Sequence, residues 1–273
     1  SQGGFDLIAQ GYSGLMSVTG EGPDREPIKV GAPLTDITAG ILASFGVVCA
    51  VLERERTGRG QRVDTSLYEA GITQTYWQSA IALATGVSPA PLGSAHPMAA
   101  PYQAFQTKNG WINVGASNEG TWTRLIEALD FRELSSDDRF VTNTDRMANL
   151  TALIEILGSH FREHTSEHWL AVLEDAGVPA GPVASVGEML EHPQTEARRM
   201  VVDVEHTTAG SVRSLGIPVK LSGSGDRRGP NGPRAGAPLL GEHTRGVLQE
   251  FGYSKAEIDQ MINTAVAHES YQE

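Results

Sequence analysis

A chain of 273 residues, 40% of them hydrophobic and 20% charged, is long enough to bury a core of its own, which excludes a disulfide-stapled miniature and a disordered tail. Lys and Arg number 21 against 33 Asp and Glu, a net charge of −12 with no long basic run, so nucleic acid is not an expected partner. The single cysteine, Cys49, rules out an intrachain disulfide and fits a reducing compartment; with no signal peptide at the start, the cytoplasm is the expected location.

Phe5–Gly20 (FDLIAQGYSGLMSVTG) mixes apolar residues with glycines and predicts a short helix and a tight loop, followed by a Pro-bounded turn over Glu21–Pro27. The most apolar segment, Ile37–Leu52, is interrupted by Thr38, Gly40, Ser44 and Gly46 and closed by Glu53-Arg54-Glu55-Arg56, too short and too punctuated for a bilayer span. It reads as a buried helix with Thr35 or Asp36 near its N-cap and Gly58 as its stop. Gln61–Leu67 alternates like a strand and Tyr68–Thr85 reads as a helix, so the first part is expected to be a piece of an α/β layer. Pro89, Pro91, Gly93 and Pro97 then mark a linker or functional loop at a domain boundary.

Pro101–Ser117 predicts a hairpin with its turn at Asn109-Gly110. Helices are expected over Glu119–Leu129, Arg146–Phe161 and Ser166–Ala176, the last stopped by Gly177 with Pro179 beyond, making a small α+β domain. Gly187–Met200 reads as helical, Val201–Leu221 as strands around a turn at Ala209-Gly210, Ser222–Gly236 as a Gly/Pro/Arg-rich connector, and Gly241–Val266 as helical.

Among residues that could carry chemistry, Asp36 stands out. A carboxylate after a Gly-x-Pro turn at the start of an apolar helix meets free backbone N–H groups and the positive end of the dipole, and could serve as a nucleophile or as a plain N-cap. His160, His164 and His168 recur every four residues, but the Thr165-Ser166-Glu167 cap between them breaks their shared face, so no metal site is expected. Arg227, Arg228 and Arg234 lie in a connector without the setting of a phosphate loop. Glu242-His243-Thr244 could form an acid–base pair, although a Glu opening the closing helix is more simply favourable to its dipole. Tyr102, Trp111 and Trp122 are expected in the core.

Taken in order, GFDLIAQGYSGLMSVTGE, VGAPLTDITAGI, LERERTGRGQRVDTSLYEA, PYQAFQTKNGWINVGASN, AGVPAGPV and APLLGEHT resemble the family III CoA-transferases (CaiB/BaiF family), typified by formyl-CoA transferase, across essentially the whole chain. The resemblance implies an α/β fold: part of a Rossmann-like large domain plus a small α+β domain, in an interlocked homodimer. Residues 1–88 would belong to the large domain and carry the nucleophile, 96–187 would form the small domain, 188–236 a linker with strands, and 237–273 a helical return to the large domain. It also implies that the aspartate of Pro33-Leu34-Thr35-Asp36 is the nucleophile, forming an aspartyl-acyl anhydride and then an aspartyl-CoA thioester. The substrates would be a coenzyme A thioester and a carboxylic acid, with no tightly bound cofactor and no membrane partner.

In that family a mobile, often glycine-rich loop shields the intermediates from water, and the matching stretch is Gly93-Ser94-Ala95-His96-Pro97-Met98. With one glycine it resembles members acting on dicarboxylic acids such as succinate or glutarate. Gln10 and Gly11 are expected near CoA or substrate with Gly93, Ser94, Ala95, His96 and Pro97. The fold also hosts 2-methylacyl-CoA racemases, whose acid–base pair would fall at Phe5, beside Asp6, and at Asn118 or Glu119; neither Phe5 nor Asn118 can carry a proton, which favours the transferase. The chain begins at Ser1, past the long N-terminal region of family members that supplies much of the CoA site. It is therefore expected to be a piece of a longer product, or a subunit inactive until a separate chain supplies that half.

Overall fold

A helix forms where backbone donors and acceptors can pair within the segment and its ends are resolved, and the apolar run after Pro33 meets both conditions. In the computed structural model, which describes residues 3–221 and 236–269, it is the helix α2, Leu34–Thr57, preceded by α1 (Asp6–Tyr12) and a 3₁₀ turn at Met16–Val18. Gly58, at φ 71°, stops α2 as expected, its N–H returning to Arg54 O at 2.8 Å. The expected single helix from Tyr68 is two, α3 (Leu67–Gln74) and α4 (Tyr76–Thr85), parted at Thr75. The helix-capping Ser66 accepts the Glu69 N–H at 3.2 Å.

Two expectations for this region are overturned. The α2 helix is not buried: Thr35 and Thr38 are its buried residues, whereas Ile41 is 64% and Phe45 69% exposed, because no described element lies over that face. At 24 residues it is also long and apolar enough to cross a membrane by length and composition, so shortness is no argument against a span. What ties it to a folded body is its packing on α1 and α3. Segment 61–67, expected as a strand, pairs with no described strand, and its last residue, Leu67, opens α3; Val63, Thr65 and Leu67 are half-buried between exposed neighbours, so the alternation exists without a sheet. Glycines set the close approaches. A Cβ on Gly46 would stand 2.8 Å from Val63 Cγ1, and one on Gly71 would stand 2.3 Å from Ser13 Oγ, so α3 meets the end of α1 only because Gly71 has no side chain.

The hairpin forms as read: β1 (Tyr102–Gln106) pairs antiparallel with β2 (Trp111–Gly115), Phe105 opposite Ile112. A short strand not anticipated from sequence, β3 (Ala180–Pro182), adds to β2 in the order β1-β2-β3. Asn109 contributes through its side chain: Oδ1 accepts the Ser166 N–H at 2.8 Å, docking the hairpin loop on a helix start. The helices are α5 (Glu119–Ala128), a 3₁₀ turn at Arg132–Ser135, α6 (Asn143–Ala148), α7 (Leu150–Phe161) and α8 (Ser166–Asp175). The expected helix Arg146–Phe161 is broken at Asn149, and Gly177 at φ 64° follows α8. Phe105, Ile112, Trp122, Leu157, Phe161 and Trp169 anchor one core.

The chain divides into two compact units, Ser1–Val183 and Ala184–Glu273. The second holds α9 (Val186–Glu191), α10 (Pro193–Ala197), the hairpin β4 (Val201–His206) and β5 (Gly210–Leu215), α11 (Thr244–Glu250) and α12 (Lys255–Asn263). Gly210 supplies the positive φ, 69°, of the β4–β5 turn. The helix expected over Gly187–Met200 is interrupted at His192-Pro193, because Pro193 lacks the donor to continue α9 and opens α10 instead. The connector arginines Arg227, Arg228 and Arg234 lie outside the described residues.

Arg146, which a helix pattern alone would leave on the surface, is fully buried. Its guanidinium bonds Ala100 O at 2.8 Å, Phe140 O at 3.1 Å and Glu119 at 3.0 and 3.1 Å, and lies 4.9 Å over the Trp122 ring. Arg146→Met fills similar space but strands these acceptors, and is expected to destabilise the protein by about 2–4 kcal/mol. At roughly 2–4 °C per kcal/mol, a thermal melt would register this directly, and an unchanged Tm would mean the buried guanidinium contributes nothing net.

Candidate active site

The first turn of α2 has donors that its own N-cap cannot serve, because the capping position is Pro33, which makes no side-chain cap. The acceptor comes from α1 instead. Asp6 Oδ1 takes the Thr35 N–H at 3.0 Å and the Thr35 hydroxyl at 2.8 Å. Asp6 Oδ2 accepts from Gln10 Nε2 at 2.8 Å, and the fully buried Gln10 turns its Oε1 to the Val30 N–H at 2.9 Å, fixing the segment that leads into α2. Burial pushes the Asp6 carboxyl upward, but the two Thr35 hydrogen bonds, the Gln10 amide and the Lys29 charge outweigh it and hold it below its ordinary value. On the opposite side, Gln74 Nε2 donates to Thr38 Oγ1 at 2.9 Å.

Asp36 is the third residue of α2, exposed, and among the described residues its carboxylate has no hydrogen-bond partner. Neither Thr35 nor Asp36 is the N-cap; the capping task falls to Asp6, which leaves Asp36 unengaged. One turn on, Gly40 has open space where a Cβ would be, so the face beside the Asp36 carboxylate is clear.

Of the other residues singled out from sequence, Gln10 is bonded into the support of the α2 start, whereas Gly11 is exposed on α1 near Met16. Residues Gly93–Pro97 are held elsewhere. Gly93 N–H donates to Gly20 O at 2.8 Å, Ala95 N–H to Leu92 O at 3.0 Å, and His96 N–H to Tyr102 O at 3.0 Å. Ser94 Oγ accepts the Ala104 N–H at 3.0 Å and lines a groove of about 370 Å³ with Tyr102, Gln103 and Asn113; Pro97 is half-buried.

Tyr102 and Trp111 are half exposed, at 49% and 51%, so of the three aromatics expected in the core Trp122 alone is there; the other two sit on the open side of the hairpin. His160, His164 and His168 pack around Trp169, the His164 and His168 rings 4.3 Å apart, and Thr165 caps α8 between them. Glu242 accepts from Thr207 Oγ1 and from the Leu239 N–H, which, with smaller contributions from the neighbouring His243 and His206, hold its carboxyl below the ordinary range.

Sequence reasoning missed the structural use of Asp6, whose cap spans helices far apart in the chain, and the clamp on Glu119. That carboxylate binds Arg146 and, at 3.1 Å, the Asn143 N–H, and the Arg146 hydrogen bonds hold it below its usual range. Asn143 in turn donates to Met98 O and accepts from the Ala100 N–H, pinning the end of the 93–100 stretch.

Residues 1–244 match the family described as CoA-transferase family III. The chain is 37% identical over 255 residues to an acetyl-CoA:oxalate CoA-transferase from Acetobacter aceti, covering 92% of this chain and 62% of that one. It is 31% identical over 273 residues to a human succinyl-CoA:glutarate CoA-transferase, covering 98% of this chain and 60% of that one. Among solved structures, a CAIB/BAIF family protein from Brucella suis superposes with a TM-score of 0.76 at 34% identity, covering 91% of this chain and 63% of that one. The chain thus spans about three-fifths of the length of these relatives.

The Asp6 cap makes a pH-dependent prediction. Its carboxyl titrates lower in the folded state than the ordinary 3.8, so the stability it contributes is complete above that value and is lost as pH falls through the folded one. At neutral pH Asp6→Ala is expected to cost about 0.5–2 kcal/mol, seen by denaturant unfolding, with Asp6→Asn milder because it keeps an acceptor. The gap between the native protein and Asp6→Asn should shrink in acid; a gap constant down to the most acid pH at which both fold would refute the assignment.

Proposed function

The chain belongs to CoA-transferase family III, and from that premise we propose that it moves CoA from an acyl-CoA thioester to a carboxylic acid through Asp36. The observation that carries this reading is the Asp36 carboxylate at the first turn of α2, without a hydrogen-bond partner among the described residues, the Thr35 donors beside it being taken by Asp6.

The chemistry follows from a free carboxylate. An Asp36 oxygen attacks the thioester carbonyl, the C–S bond breaks, and CoA leaves as thiolate, giving an aspartyl-acyl anhydride. The thiolate attacks the aspartyl carbonyl of that anhydride and expels the donor acid, leaving a β-aspartyl-CoA thioester. The acceptor carboxylate attacks this thioester and releases CoA thiolate again. The thiolate then takes the acceptor acyl group from the second anhydride and restores Asp36. The α2 dipole favours the carboxylate each time it is regenerated.

A short dicarboxylic acid is the proposed acceptor, supported by the loop over 93–97 and by relatives named for oxalate and glutarate. CoA thioester is substrate, not resident cofactor. An interlocked homodimer in the cytoplasm is part of the proposal, and the exposed apolar faces of α2 and α4 support a covering partner. The racemase alternative is disfavoured because Glu119 is bound to Arg146 and Asn143, Asn118 caps α5, and Phe5 has no proton to exchange.

The test is the intact mass of the longest polypeptide carrying this sequence after incubation with succinyl-CoA, beside its Asp36→Ala variant. A succinyl- or CoA-sized increase, removed by hydroxylamine and absent from the variant, is expected. Transfer activity retained by Asp36→Ala would sink the reading.

A further inference from the structure

Glycine inside an α-helix gives up more backbone freedom on folding than any other residue and packs no side chain in return, so each such glycine needs a reason. Helix α2 contains two. Gly46 has its reason in the fold, because a Cβ there would stand 2.8 Å from Val63 Cγ1. Gly40 has none among the described residues: it is helical, exposed and without a positive φ, and a Cβ there would meet nothing within 4 Å. Alanine would fit, and would make the better helix. What Gly40 does have is a position. It stands four residues after Asp36, one turn along the same face, and a side chain at the later position of such a pair leans toward the helix N-terminus and over the earlier one. Any side chain at position 40 would therefore lie against Asp36. The next turn keeps the same low profile, since Ser44 folds its hydroxyl onto Gly40 O at 2.8 Å instead of reaching outward. Alongside, Ile37 and Ile41 are 51% and 64% exposed, so the open space at Gly40 is bordered by apolar surface. Such a space beside a carboxylate suits methylene groups.

We propose that Gly40 is a specificity-determining position: its missing side chain leaves the room beside Asp36 in which the carbon chain of the transferred acyl group lies, against Ile37 and Ile41. The proposal rests on the reading above for the covalent role of Asp36 and adds to it a limit on acyl length. Gly40 makes no bond to the substrate and moves no proton; it acts through the volume that a side chain would take. A chain of a few methylenes passes over position 40, whereas an acid without methylenes does not reach it.

The test compares the native protein with Gly40→Ala and Gly40→Leu, in the longest polypeptide carrying this sequence, on two readouts. One is the thermal melt, which needs no substrate. Gly40→Ala is expected to raise Tm by about 1–4 °C, because alanine is the better helix former and the space is open. A Tm that does not rise would mean that polypeptide fills the space, and would overturn the proposal. The other readout is kcat/KM for CoA transfer from succinyl-CoA to oxalate, which has no methylene, and to glutarate, which has three; the shared donor step cancels from their ratio. Succinate replaces oxalate if the native protein does not accept the shorter acid. Gly40→Leu is expected to lower the ratio of the longer acid to the shorter about tenfold, and Gly40→Ala roughly two- to threefold in the same direction. Equal losses on both acids, or an unchanged ratio, would overturn the length limit and leave the role of Asp36 standing. So would a native protein that uses oxalate and no longer acid. If Gly40→Leu does not fold, the ratio in Gly40→Ala decides the question. If the native protein forms no covalent adduct with succinyl-CoA, the transferase reading itself fails and takes the proposal with it.

Discussion

The pairing of Asp6 with Thr35 is the constraint on which the site depends. An α-helix that begins with proline at its cap has donors to satisfy and no side chain of its own in place to satisfy them. Here the acceptor comes from a carboxylate 29 residues earlier, and Gln10 secures that carboxylate by tying it to Val30. The position of the α2 start is thus set by α1. It can be set this closely because Gly71 lets Ser13, at the end of α1, and Thr35 both approach α3. Remove the cap, the strut or the glycine, and the first turn of α2 loses a different fixed point.

Much of this architecture was legible in local chemistry. Gly58, Gly177 and Gly210 stop or turn the chain where a left-handed residue is required, and Thr165 caps a helix through its hydroxyl. These are interactions within a few residues, which is what a sequence displays. The failures have the opposite character. The apolar run of α2 predicts burial, but burial needs a covering surface, and a pattern cannot say where that surface is. Segment 61–67 has the alternation of a strand, yet a strand is defined by a partner, and no described strand pairs with it. Helix breaks at Thr75 and Asn149 occur in sequences with acceptable propensity on both sides, where tertiary packing overrides a weak local preference. The break at Pro193 is local, since a proline has no N–H with which to continue α9.

The same division holds for the site. Asp36 could be singled out because its position after a Gly-x-Pro turn is local and its block resembles a family pattern. The Asp6 cap and the Arg146–Glu119–Asn143 clamp both join residues distant in the chain. Arg146 looks like any charged helix residue until its acceptors, Ala100 O and Phe140 O, are brought to it by the fold. The three histidines show the converse: their spacing invited a metal reading, while the cap at Thr165 and the bulk of Trp169 decide where the rings go.

Two acids lie close to the start of one helix and meet different fates. Asp6 spends its oxygens on Thr35 and Gln10, which makes it a good cap and a poor nucleophile, since lone pairs held in hydrogen bonds are not free to attack a carbonyl. Asp36 retains its lone pairs but is exposed, and a hydrated carboxylate is also a restrained nucleophile, because its water must be displaced before it reacts. Beyond it runs the uncovered face that includes Ile37 and Ile41. Any surface that buries those side chains gains the hydrophobic free energy of the helix face and strips water from the carboxylate at its head. On the proposed role of Asp36, covering α2 and activating the carboxylate would be one event: the apolar contact would supply the driving force for the desolvation, and Asp6 would keep the helix end satisfied meanwhile.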